Sequence, residues 1–505
     1  MISILRIPDS VKIDCEESKH DAKIRYELND DKLKVFVSAE TSHVKFLKLR
    51  WNIKIREEVS VMGDAWERTY ASAGFAGLLA ERALPWYFAL RHKNGTDCVG
   101  VGVRPNAFVY FTVDAEGVTA RCDLRSGTIG VELAGREIEV AEFMSKEYGT
   151  EPFYALCDFC KKMSPDPILP KEKIYGGNNW YYAYGNSSYE EIISDCKLQA
   201  ELAEGLENPP FMVIDDGWQV KRVQGPWIPN EKYGDMKKIA DEFKAMGVRP
   251  GIWFRPLRDE SESIPEKWRF KNRNQKDAEY LDPSHPEVLA HVASVIKQIV
   301  GWGYELIKHD FSSFDVFGAW GFQRKRFLSE GDWRFYDNTK TSAEIYKTFL
   351  KTILDATDGK AYILGCNCVS HLTAGLCHIN RIGDDTSGRE WERTRSQGLN
   401  TLAFRLCQNN AFYVVDADCA GFMNGNIPFA LNKKWVELLA KSGSPLFISA
   451  PNGAFNEEEK AFMKEMYKIA SLQENVTAPI DYLYNSTPAL WSIDGEIHEF
   501  DWWNE

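Results

Sequence analysis

Nowhere in this chain is there a run of about 18 consecutive apolar residues, so a helical membrane span is not expected. The opening stretch MISILRIPDSVKIDCEESK has no basic n-region, long apolar core or small-residue cleavage site, and it predicts no secretory leader. Basic runs are missing too. With a formal net charge of −13, general affinity for nucleic acid or an anionic membrane is not expected. Histidine is scarce at nine, and none falls in an HxH or HExxH pattern, which removes the common zinc-hydrolase signatures. His309 and His371 are therefore expected to be structural, and no metal or cofactor is expected. Oxygen-ligand metals around Asp215 and Asp216 are the minor alternative. There is no GxSxG serine elbow and no glycine-rich phosphate loop after any strand-like run. Cysteine is present but odd in number, at eleven. Cys157 with Cys160 and Cys366 with Cys368 fit reduced buried thiols better than a disulfide frame, and a cytoplasmic location is expected.

What the chain does have is aromatic surface: 16 Trp, 28 Phe and 21 Tyr. Aromatics fill cores first, but a surplus also suits the flat faces of sugar rings. Within an N-terminal domain expected over 1–165, residues 1 to about 150 alternate polar and apolar at period two (KLKVFVS, VKFLKLRW, AFVYFTVD), with a hairpin signal at Asn94-Gly95. This predicts an N-terminal antiparallel β-sandwich, followed by a short helix EPFYALCDFCKKM and a linker SPDPILP. From 166 to 454 strand-like runs alternate with helical patterns, two of them opened by capping signals (Ser188 with Glu191; Ser284 with Glu287 and Pro286). Eight strands are predicted, in IYGGNNWYYAY, FMVIDDGW, VRPGIWFRP, YELIKHDF, AYILGCNC, CHINRIGDD, AFYVVDAD and SPLFIS. Eight such units imply a central (β/α)8 TIM barrel. Residues 455–505 are expected to form a small C-terminal β appendage containing one helix.

Sites in such barrels lie at the C-terminal ends of the strands. There the sequence places Trp180, Asp215 and Asp216, Trp253, Lys308 and Asp310, Asn367, Arg381 with Asp384 and Asp385, and Asp416 with Asp418. One Asp at a strand end is readily a helix cap. Paired acids on several strands are harder to explain that way. The mouth is expected to be acidic and aromatic, with only Lys308 and Arg381 as counter-charges. Two-carboxylate glycoside cleavage is the chemistry that such a mouth suits.

In order along the barrel, NNW, DDGW, KHD in YELIKHDF, RIGDD and VVDAD resemble the strand-end motifs of the α-galactosidase clan, glycoside hydrolase families 27 and 36. The β unit, through WYFALRHKNG to DLRSG, looks similar to raffinose-synthase-like relatives. The resemblance implies a retaining α-galactosidase with Asp310 as nucleophile and Asp385 as general acid/base. It implies that Asp215 and Asp216 hold galactose O4 and O6, that Lys308 and Arg381 touch neighbouring hydroxyls, and that Trp180 and Trp253 line the ring. Asp418 would sit near the acid/base, Cys366 and Asn367 would face the sugar's 2-substituent, and Trp66 could reach in from the β unit. Lys308 is expected to pair with Asp310, since side chains two apart share a strand face. Asp385, crowded by Asp384 and Asp418, is expected to retain its proton, and strand alternation is expected to turn only one of Asp384 and Asp385 to the substrate. His309, the GGNN start and a short segment between strands five and six depart from the family pattern, and the last predicts an irregular barrel there. The aromatic-rich insert 312–340 is expected to wall the leaving-group side or to make a dimer contact. The substrate would be a small oligosaccharide or galactoside. Transglycosylase, α-N-acetylgalactosaminidase and β-L-arabinopyranosidase activities stay open, as does a non-catalytic sugar-binding protein, and a homo-oligomer is possible.

Overall fold

The computed structural model describes residues 2–270, 280–422 and 426–504. Two antiparallel sheets of six strands each make up the N-terminal part and pack face to face as a sandwich. Period-two patterning accounts for them: in Leu33–Ser38 the side chains alternate between buried and half-buried along the strand. The Asn94-Gly95 turn joins Tyr87–His92 to Gly95–Val101 as expected. The expected helix forms as Pro152–Met163.

All eight expected barrel strands are present: Tyr175–Asn178, Phe211–Ile214, Arg249–Phe254, Leu306–His309, Tyr362–Gly365, Ile379–Arg381, Val414–Asp416 and Leu446–Ser449. They pair in parallel in that order, and strand eight returns to strand one. Strand seven is interrupted at residues 417–419. Val414–Asp416 pairs with strand six while Ala420–Gly421 pairs with strand eight, which closes the barrel. Helices on the outside and side chains within bury both faces of these strands, which is why they lack polar alternation. Gly176 holds a positive φ of 142°, and a Cβ there would fall 2.0 Å from the Phe211 carbonyl oxygen, so only glycine lets strand two approach.

Between strands five and six the only helix is Ser370–Thr373, the irregularity that the sequence pattern predicts. The sandwich covers this side: His371 stacks on Trp86 at 5.1 Å, and its Nε2 lies 2.8 Å from the Val101 carbonyl oxygen. Burial pushes its pKa down to about 4, consistent with a structural, uncharged ring. Asp64 and Arg405, both buried, form a 2.9 Å ion pair across the same junction. Helix Tyr189–Leu202 is capped by Ser188, but helix Pro286–Gly301 is capped by the His285 ring rather than by Ser284. Helix Glu457–Leu472 packs against the helices after strands one and seven, and the three-stranded sheet follows it. Among the described residues no helix is long and apolar enough to cross a membrane.

Candidate active site

A cavity of about 330 Å³ opens at the C-terminal ends of the barrel strands. Trp180, Asp215, Asp216, Trp253, Lys308, Asp310, Cys366 and Asp385 line it, and so does Asp384. Both aspartates of the Asp384-Asp385 pair reach the cavity because strand six ends at Arg381. They sit in the loop beyond it, where strand alternation no longer applies.

Asp215 ends strand two as the hub of a buried network. Its Oδ2 accepts from Lys308 Nζ at 2.7 Å and from Asn178 Nδ2 at 2.8 Å, and its Oδ1 accepts from the Asp216 amide. Lys308 therefore pairs with Asp215 and not, as expected, with Asp310. Burial disfavours its charge, but Asp215, Cys366 and Asp310 outweigh that and raise its pKa well above the ordinary lysine value. Asp216 accepts from Gln219 Nε2 and the Val223 amide, both at 2.7 Å, and meets Arg222 Nε at 3.3 Å.

Asp310 follows strand four directly. Phe311 takes a left-handed conformation, φ 58°, which aims its amide at Asp310 Oδ1 at 2.7 Å. Trp253 Nε1 lies 3.3 Å from Oδ2. The Phe311 ring covers the Arg255 guanidinium at 3.9 Å, and Arg255 is held by Asp315 at 2.6 and 2.9 Å, so packing fixes the strained turn. Among the described residues no cation comes within ion-pair distance of Asp310.

Asp385 is surrounded by protein yet leaves 40% of its side chain open to the cavity. Arg381 Nη2 lies 3.0 Å and Arg68 Nη1 3.7 Å from its Oδ1. Burial alone would raise its pKa, but Arg381, Arg68 and Lys308 together prevail and hold it below the usual carboxylate value. The expectation of a retained proton is thus reversed, because Arg381, Arg68 and Lys308 together outweigh burial. Asp384 is bridged by Arg68 at 3.2 Å and Arg393 at 3.0 Å. The mouth accordingly holds Arg68, Arg222 and Arg393 besides Lys308 and Arg381, more counter-charge than the sequence implied.

Four expected site residues, Arg381, Asp418, Asn367 and Trp66, stand behind the lining. Arg381 braces Asp385 and reaches Asp418 at 3.0 Å, and Asp418 also accepts from Tyr181 Oη and the Thr386 amide. Asn367 is buried and turned away, its amide bonded to Ser313, Phe314 and Glu67. Trp66 is sandwich core, edge-on to Trp86 at 4.9 Å. Two and four residues later, Arg68 and Tyr70 are what the β unit puts into the cavity. The nearby GDAWERTY aromatics were the only hint in the sequence. His309 is buried, with Nδ1 2.7 Å from Ser312 Oγ. From the insert 312–340, Trp320 and Phe322 line the cavity, while Ser329, Trp333 and Asn338 bond to sandwich residues 125, 128 and 132.

No family model matches the chain, and no curated protein matches it in sequence. Solved structures do match in fold. The α-galactosidase TtGalA from Thermus thermophilus, in complex with p-nitrophenyl α-D-galactopyranoside, superposes with a TM-score of 0.64 at 16% identity over 94% of this chain and 99% of its own. The GH36 α-galactosidase AgaA from Geobacillus stearothermophilus gives 0.65 at 15% identity over 93% and 70%. A GH31 dextranase from Flavobacterium johnsoniae gives 0.56 at 11% identity over 91% and 60%. The chain thus has the β-sandwich and barrel architecture of GH36 α-galactosidases.

Proposed function

We propose that the protein is a retaining α-galactosidase acting on small, terminally α-galactosylated sugars. The observation that carries this reading is the contrast at the cavity floor. Asp310 faces the cavity with two neutral donors, while every other cavity carboxylate has a cation within 4 Å. An anion held in place by neutral donors keeps its direction without having its charge cancelled, which suits a nucleophile. The likeness in fold to GH36 α-galactosidases, one of them bound to an α-galactoside, supports the same reading.

In the first step a carboxylate oxygen of Asp310 attacks the anomeric carbon as the C1–O bond breaks. Asp385 gives its proton to the departing oxygen, and a β-linked galactosyl ester forms. In the second step Asp385, again anionic, takes a proton from water, whose oxygen displaces Asp310 with a second inversion. Asp215 and Asp216 accept hydrogen bonds from the O4 and O6 hydroxyls, and Trp180 and Trp253 pack on the ring. Arg381 keeps Asp385 aimed. Arg381 and Arg68 beside Asp385 hold its pKa below the usual carboxylate value. A bound sugar that displaces cavity water strengthens the burial effect and makes the proton easier to hold.

Proton NMR of p-nitrophenyl α-D-galactopyranoside turnover tests the proposal. α-Galactose should appear first and mutarotate afterwards. β-Galactose first would contradict the mechanism, and no release at all would contradict the substrate.

A further inference from the structure

Residues 66–70 leave the sandwich and cross the ends of barrel strands five and six. The crossing is fastened by hydrogen bonds to its backbone: the Ser370 amide donates to the Trp66 carbonyl oxygen, the Thr69 amide to the Ile382 carbonyl oxygen, and the Arg405 guanidinium to the Glu67 carbonyl oxygen. Thr69 pairs with Gly383, one residue before Asp384. Side chains alternate on this extended segment. Glu67 and Thr69 turn to the barrel, and Arg68 and Tyr70 turn to the cavity.

Glu67 is 1% exposed, and its carboxylate collects four neutral donors from three segments. Oε1 accepts from Tyr70 Oη and from the Gly321 amide at 2.6 Å. Oε2 accepts from Ser313 Oγ and from Asn367 Nδ2 at 3.0 Å. Gly321 is fitted to this contact, since a Cβ there would lie 2.5 Å from Glu67 Cγ. On either side of Gly321 stand Trp320, whose ring faces the Arg68 guanidinium at 5.6 Å, and Phe322, edge-on to Tyr70 at 5.1 Å. Burial, with Glu67 adding to it, raises the Tyr70 pKa despite the nearby Arg68, so the phenol remains a donor.

One carboxylate thus ties together the two chain segments that carry the aromatic side of the cavity. We infer that Glu67 is a positioning residue, and that the wall it assembles from Tyr70, Trp320 and Phe322 seats the leaving group. The class of leaving group it suits is a pyranose or other flat ring with an apolar face. This rests on the glycosidase reading above and deepens it.

The test compares melibiose with methyl α-galactoside. Both have alkoxide leaving groups that make similar demands on the acid, but only melibiose has a ring to seat. Glu67→Gln fills the same space and sets an amide NH2 against converging donors. It should lower kcat/KM for melibiose at least tenfold more than for methyl α-galactoside, chiefly through KM. Phe322→Ala, at a side chain 62% exposed and so without consequence for folding, should shift the same ratio several-fold. Equal losses on both substrates would make Glu67 a structural residue only, and an unchanged ratio in Phe322→Ala would remove the wall. If wild type cleaves methyl α-galactoside but shows no preference for melibiose, the seat is overturned while the galactosidase reading stands. If wild type cleaves neither substrate, both fall together.

Discussion

The ends of strands four and six treat their carboxylates differently. At strand four, Asp310 has an indole N–H and a backbone amide for company. At strand six, Asp384 and Asp385 share Arg68 and are further held by Arg393 and Arg381. A reaction that needs one carboxylate to bond to carbon and another to pass a proton benefits from this difference. The first must keep its lone pairs directed but not cancelled, and the second must have a pKa that its neighbours can move.

The sharpest way to break the comparison is at its unpaired member. Asp310→Asn should lower kcat by on the order of 10⁴-fold or more while leaving galactose binding measurable by calorimetry. Activity near wild type would dissolve the distinction. The next largest effect belongs to Lys308→Met. It strands Asp215, whose side chain is only 4% exposed, without its cation. Breaking a buried pair from one side costs about 3–5 kcal/mol, which urea unfolding should show together with a rise in KM. If Lys308 served Asp310 instead, kcat would fall with stability little changed.

Arg68→Gln sharpens the strand-six side. Removing a cation destabilises the Asp385 carboxylate relative to its protonated form, so its pKa rises. The alkaline limb of kcat/KM, which reports the free enzyme's acid, should therefore move to higher pH. A limb that stays put would mean that Arg68 does not act on the proton donor. The smallest effect is expected at Asp416, which lies behind the cavity and is pushed up to about 6, mainly by burial. An Asp with a raised folded-state pKa stabilises fully only below its unfolded value, and loses that contribution as pH rises through about 6. Asp416→Asn should thus flatten the fall in stability across that window. At pH 7 it should recover on the order of 2–3 kcal/mol, measured by urea unfolding.

Much of this architecture was legible because it is local. Each barrel strand is a short apolar run followed by polar residues, as in FMVIDDGW, and the pattern survives without any knowledge of partners. The same locality explains what was missed. The pairing of Lys308 with Asp215 depends on how two strands sit side by side, and spacing within one strand pointed to Asp310 instead. Arg68 is some 300 residues from the acids it braces, and nothing in WERTY distinguishes it from a surface arginine. Trp66 was offered as a reaching residue by the family resemblance alone, against the commoner role of a core tryptophan, and the sandwich core claims it. The Asp384-Asp385 ambiguity arose from extending strand six four residues past Arg381, and strand ends are where pattern reading is weakest.

The central claim is that Asp310 bonds to the sugar. Incubation with a 2-deoxy-2,2-difluoro-α-galactoside carrying a trinitrophenyl leaving group should trap the ester, and peptide mass spectrometry should find the sugar on the peptide containing Asp310. A label on Asp384 or Asp385 instead would contradict the account.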